Sequence, residues 1–152
     1  MNNITDTDKG FKRLLALIKE KVKITIGIHE AEGSASHGAA TVAEIGAIHE
    51  YGWKAKNIPR RSFVRDTHDT KLQENLALLI KLEDDVLAGK RTQDQAVKML
   101  GEVAAKQMVS RINDGIAPRN APATIRRKKS SKPLIDTGQL KGAITFQVKE
   151  LS

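Results

Sequence analysis

The stretch VKITIGI, residues 22–28, decides the fold class. Val22, Ile24, Ile26 and Ile28 alternate with Lys23, Thr25 and Gly27, which places the apolar set on one face of a β-strand. Just upstream, residues 8–21 set Phe11, Leu14, Leu15 and Ile18 at helical spacing with Lys and Glu between them, predicting an amphipathic helix. The period therefore changes from helical to extended within a few residues. At the far end Ile144, Phe146 and Val148 alternate with Thr145 and Gln147, predicting a closing strand that pairs with residues 22–28.

The chain between these strands has the helical period. Thr41 and Glu44 have the capping-box spacing and open a short helix with Val42, Ile45 and Ile48 on one face, ended by Gly52. After Pro59, residues 62–65 are expected to form a brief strand with Arg61, Phe63 and Arg65 on one face. A long helix fits residues 67–87 with Leu72, Leu76, Leu79 and Val86 inward, and Gly89 suits its stop. A second box, Thr92 with Gln95, launches a helix carrying Val97, Leu100, Ala104, Met108 and Ile112 until Gly115. The short connection makes these two an antiparallel hairpin.

The sequence thus predicts an α+β fold: a small, mainly antiparallel sheet packed against a long helical hairpin, with extended loops. Residues 1–152 are long enough for one such domain and short for two. Within it GSASHGAA, residues 33–40, has only small side chains and predicts a flexible loop over about 31–40. Residues 116–132 contain prolines and basic side chains with little apolar periodicity, and read as an extended arm.

Charge is concentrated. The formal net charge is +8, and Lys54, Lys56, Arg60, Arg61 and Arg65 lie between Tyr51 and Arg65 with no acid among them. Arg111, Arg119, Arg126, Arg127, Lys128, Lys129 and Lys132 follow between residues 111 and 132, against Asp114 alone. Such segments attract phosphate backbones or an acidic protein surface, or are simply solvated. Aromatic residues make up only 3% of the chain, which argues against base stacking but leaves nonspecific phosphate attraction open. The absence of cysteine excludes disulfides and thiolate metal sites and favours an intracellular folding environment. No apolar run has the length of a bilayer span, and the first residues lack the apolar core of a signal peptide, so no membrane partner is expected.

Two catalytic patterns invite testing. Asp136-Thr137-Gly138 is the tripeptide of aspartic proteases, but those enzymes need paired carboxylates in an almost all-β scaffold. Asp136 instead stands three residues before Gln139, the spacing of a helix cap, and predicts a structural turn. His29-Glu30 and His49-Glu50 resemble the start of a zinc-protease motif, yet positions 33 and 53 are Gly and Trp where a second histidine is required. A cluster of His29, His37 and His49 is conceivable, though structural or exposed histidines are the simpler reading. No nucleophile elbow or phosphate-binding glycine loop is present, so neither an enzymatic activity nor a cofactor is expected.

Three blocks read together carry a resemblance: VAEIGAIHEYG (42–52), IPRRSFVRDT (58–67) and APATIRRKKSSKPLIDTGQLKGAITFQV (121–148). Their order and spacing resemble the tail-completion or head-tail joining proteins of long-tailed bacteriophages, also labelled virion morphogenesis or tail-component proteins. Ile45, Gly46, His49, Glu50, Tyr51 and Gly52 match the first block of the family pattern. Ile58, Pro59, Arg61, Phe63 and Arg65 match the second, and Thr124, Lys128, Pro133, Leu134, Asp136, Thr137, Gly138 and Leu140 the third. Ser62, Val64 and Ala143 depart from it, standing where Pro, Leu and Ser are usual.

The resemblance implies a noncatalytic virion component of the neck, present in the host cytoplasm during assembly. It would form a homo-oligomeric ring, commonly hexameric, between portal-side head-completion proteins and the tail terminator or tube, with DNA passing through the channel during ejection. The basic segments would then line the lumen, touching packaged DNA nonspecifically, or grip acidic neighbours. A closed head-to-tail ring needs different patches on the two sides of each subunit. Those patches are expected in residues 30–41 and 116–132, with His49, Glu50, Tyr51, Arg61, Arg65, Arg126, Arg127, Lys128 and Lys129 as interface candidates. Arg61 and Arg65 would lean out to water or pair with Glu50. A tail terminator, a minor tail subunit and a basic nucleic-acid-binding module are the alternatives.

Overall fold

The computed structural model describes residues 21–128 and 131–151. The helix expected over residues 8–21 lies outside them, apart from Lys21, and Lys149 to Leu151 extend the closing strand beyond its expected end. Strand β1, Lys21–Ile28, pairs antiparallel with β4, Ile144–Leu151, in the register Ile24↔Val148, Ile26↔Phe146 and Ile28↔Ile144. The alternation therefore does what it predicts, gathering the apolar residues of both strands on one face. Lys23, Thr25, Gln147 and Lys149 fall on the other.

A one-turn helix α1, Glu30–Gly33, follows β1, and the two-residue strands β2, Ser36–His37, and β3, Ala40–Thr41, form a small hairpin. The stretch expected as a loop over 31–40 thus contains these short elements, joined by turns at 34–35 and 38–39. Small side chains help here, because they let the chain turn close to the body of the fold, and Gly33 is buried.

Helix α2, Val42–Tyr51, begins with the reciprocal capping box. The Thr41 hydroxyl accepts from the Glu44 amide while the Glu44 carboxylate accepts from the Thr41 amide at 2.7 Å. Those bonds hold the Glu44 carboxyl below its ordinary range. Gly52 ends the helix at φ 76°, where a Cβ would meet the Arg60 amide nitrogen at 2.9 Å, so both the conformation and the space call for glycine. A 3₁₀ turn, Lys54–Lys56, and a Trp53–Ile58 bridge close the next loop.

The long hairpin consists of α3, Phe63–Leu87, and α4, Gln93–Asp114. The second capping box, Thr92 with Gln95, is formed as expected. Helix α4 lies across both strands, with Ala104, Ala105, Met108 and Ile112 buried. It approaches so closely that a Cβ on Gly101 would fall 2.3 Å from the Phe146 ring. One core cluster gathers Val42, Phe63, Met108, Ile112, Leu134, Leu140 and Ile144, and a second joins Leu82, Val86 and Ala96 near the hairpin turn. Part-way along α3, Asn75 and Gln107 exchange side-chain amide bonds at 3.0 and 2.9 Å, tying the two helices with a satisfied polar pair.

Three expectations are corrected. Residues 62–65 are the start of α3, not a strand. On α3 Val86 is buried as expected and Leu79 is half-buried, but Leu72 and Leu76 are exposed, and Leu82 with Leu78 completes the inward face. The arm over 116–132 contains a helix, α5, Pro122–Lys128; Pro122 occupies its first turn, where a missing N–H costs nothing. A last turn, α6, Gln139–Gly142, precedes β4.

The hairpin turn is clamped by Asp85, whose carboxylate meets Arg91 Nε at 3.0 Å and Lys90 Nζ at 3.8 Å. The hydrogen bond from Arg91 holds the Asp85 carboxyl below its ordinary range, aided by the charges of Lys90 and Arg91. A depressed folded-state value stabilises the fold above the unfolded pKa of about 3.9 and is lost as pH falls through the folded value. Asp85→Asn should therefore lower the melting temperature at pH 7, and the gap from the parent should close towards pH 3, as thermal unfolding at the two pH values will show.

Candidate functional site

The second and third sequence blocks meet the first at a cleft of about 710 Å³. Val42, Ile45 and His49 of α2 form one wall, and Lys56 to Pro59 form a lip. Arg61 and Arg119 to Ala121 close one side, with Thr124 from α5. The turn from Leu134 to Leu140, including Asp136, Thr137 and Gly138, closes the other. Apolar and polar residues thus both line the cleft. Leu134 reaches its buried place only in the left-handed region, φ 63°, a conformation that costs a branched side chain about 1–2 kcal/mol.

Arg61 builds this site. Its residue is 6% exposed, its amide donates to the His49 carbonyl at 2.7 Å, and its Nε donates to the Pro118 carbonyl at 2.8 Å. Nη2 reaches the Arg119 carbonyl at 3.3 Å. The side chain therefore ties the 116–120 segment to the end of α2. Burial pushes the guanidinium below its ordinary value.

Glu50 does not pair with either arginine side chain. At 8% exposure it turns under α2 and receives the Ser62 hydroxyl, the Val64 amide at 2.9 Å and the Arg65 amide at 3.2 Å. These are the free donors of the first turn of α3, so Glu50 caps that helix from twelve residues upstream of Ser62. This explains why the chain turns into a helix at Ser62, which offers no side-chain cap bond of its own.

The other sequence candidates separate. Tyr51, 71% exposed, and Trp53 project from the lip, with Lys56 Nζ 6.0 Å from the Trp53 ring centre. Arg65 and Arg126 are exposed on α3 and α5. Arg127 and Lys128 belong to α5, and Lys129 lies outside the described residues. The cap expected from Asp136 is corrected: the N-cap of α6 is Gly138 at φ 87°, with no side-chain bond, and Thr137 Oγ1 accepts from the Gln139 amide at 3.4 Å. The glycine is needed because the chain reverses there in the left-handed region. Among the described residues no group of three His, Asp or Glu side chains could hold a metal ion; His29 meets Thr25 Oγ1 at 3.0 Å.

Sequence reasoning did not single out Asn120, buried beside Arg61 and donating to the Lys132 carbonyl at 3.2 Å, or the exposed ridge of Leu72, Leu76, Ile80 and Leu87 on α3. The ridge had a signal: the apolar positions of residues 72–87 are too many for one helix face. Among the described residues, no helix is long and apolar enough to cross a membrane. Comparison with protein families, curated proteins and solved structures finds no significant match.

Proposed function

We propose that the chain is a noncatalytic structural protein of a long-tailed phage virion, assembling head to tail into a ring at the neck that joins the DNA-filled head to the tail. The observation that carries this reading is the convergence of the three resemblance-bearing blocks on one cleft, although up to about seventy residues separate them in sequence. Motifs that meet in space act as one unit: the Glu50 carboxylate and the Arg61 amide join the first block to the second, and Leu134 of the third packs in one cluster with Val42 and Phe63. Portal-side proteins would bind one face of the ring and the tail terminator or tube the other.

Self-association has support from the α3 ridge. Leu72, Leu76, Ile80 and Leu87 are exposed, Ile80 to 60%, along a helix of 25 residues, about 37 Å long. Exposed apolar residues aligned on one helix face, here interrupted by Glu83 between Ile80 and Leu87, are characteristic of subunit interfaces. Light scattering on the purified protein should give a multiple of the 16.7 kDa chain mass, and the pair Leu76→Glu with Ile80→Glu should reduce it to monomer with an unchanged circular dichroism spectrum. A monomeric parent that is also missing from virions would sink the neck reading.

The exposed Arg126 on α5 favours a second reading, a basic nucleic-acid-binding module. Duplex binding that weakens steeply with salt, without incorporation into particles, would select it.

A further inference from the structure

We infer that the cleft is a binding site for a peptide carboxylate, an Asp or Glu side chain on an extended segment of a neighbouring protein, received by Arg61. Arg61 lines the side of the cleft, the residue as a whole is nine-tenths buried, and its two side-chain partners are backbone carbonyls. No described carboxylate lies within salt-bridge distance of it. Carbonyl oxygens orient a guanidinium but do not neutralise it, so a buried cation remains without an anion. Nη1 makes no hydrogen bond among the described residues, leaving donors of the planar fork for an incoming carboxylate. Burial already disfavours the charged form, and an arriving anion would relieve that cost.

The rest of the lining selects a peptide over a phosphate backbone. Val42, Ile45, Ile58 and Leu140 provide apolar wall for side chains flanking the acid. Thr124 offers a hydroxyl to an extended main chain. Arg119 and Lys56 at the rim would steer one acid inward. Exposed Tyr51 and Trp53, which precede the lip in sequence without lining the cleft, are the residue types that anchor protein interfaces. The inference concerns the isolated chain and does not rest on the neck reading.

The test uses the full chain and blocked peptides, acetyl-Leu-Asp-Leu-Gly-amide and its Asn counterpart, followed through the ¹⁵N–¹H signal of Arg61 Nε and the Thr124 amide. The Asp peptide should shift both signals in a saturable way and bind at least five-fold more tightly than the Asn peptide. Arg119→Gln with Lys56→Gln, which alters only exposed side chains, should weaken the Asp peptide about three-fold. Arg61→Gln, which removes the charge, should abolish the discrimination between the peptides, with the dispersion of its amide spectrum reporting that the fold is retained. Equal binding of the two peptides, or no shift at Arg61 Nε up to millimolar Asp peptide, would overturn the inference. So would inorganic phosphate or duplex DNA shifting Arg61 Nε at lower concentration than the Asp peptide.

Discussion

Gly101→Ala is expected to lower stability by about 2 kcal/mol even though alanine is the better helix former. An added Cβ would lie 2.3, 2.6 and 2.9 Å from three carbons of the Phe146 ring, against an ordinary carbon contact of about 3.5–4.0 Å. The ring must move by about an ångström, or α4 must lift from the sheet. Either motion loosens Ile26 and Ile144, the strand residues that join the central cluster. Gly142→Ala supplies the control: nothing lies within 4 Å of its added Cβ, so the change should be within about 0.5 kcal/mol of neutral. Phe146→Leu on the Gly101→Ala background should recover part of the loss, a coupling that chemical denaturation of the four proteins in the cycle will measure. Additive effects would mean that α4 does not meet the sheet at this point.

The elements legible in the sequence are those whose cause is local. Both capping boxes are read correctly because the two reciprocating side chains stand three residues apart, and β1 finds β4 because alternation names the buried face on each. Pro122 misleads because proline ends a helix in its interior but starts one in its first turn, and no periodicity over seven residues distinguishes the cases. Leu72 and Leu76 mislead for a related reason. A helix with apolar residues on more than one face does not say which face the rest of its own chain will cover, and here the ridge is left exposed.

The site was legible as residues and illegible as geometry. His49, Arg61, Asp136, Thr137 and Gly138 all line the cleft, yet the expected pairing of Glu50 with an arginine is replaced by two separate tasks. Arg61 is taken by carbonyls at positions 118 and 119, a contact between residues more than fifty apart that no spacing rule reveals. Its burial then converts a surface charge, as a basic run would suggest, into a buried polar feature of a cleft lined by both apolar and polar residues. The same concentration of positive charge therefore has two different physical uses: one residue organises the cleft, while Arg126 faces solvent on α5.

Glu50→Ala should cost about 3 kcal/mol, a fall in melting temperature of roughly 6–12 °C for a chain of this size. The substitution removes an acceptor and leaves its donors in place: the Ser62 hydroxyl in a buried position, and the Val64 and Arg65 amides at the start of α3. A buried donor without an acceptor bears its full desolvation cost, so the loss exceeds that of an ordinary exposed cap, about 1 kcal/mol. Ser62→Ala, which removes one donor and keeps the carboxylate, should cost less than half as much. Glu50→Gln should fall between them, since the amide retains one accepting oxygen but turns its NH₂ towards donors. Hydrogen exchange locates the effect: in Glu50→Ala the Val64 and Arg65 amides should lose protection first, while those of α4 around Met108 follow only with global unfolding. Because Phe63 lies between Ser62 and Val64 and is almost fully buried, fraying of this turn also withdraws an aromatic ring from the central cluster. A variant that kept both the protection of those amides and the parent melting temperature would show that Ser62 starts the helix without Glu50, and that the first block does not position the second.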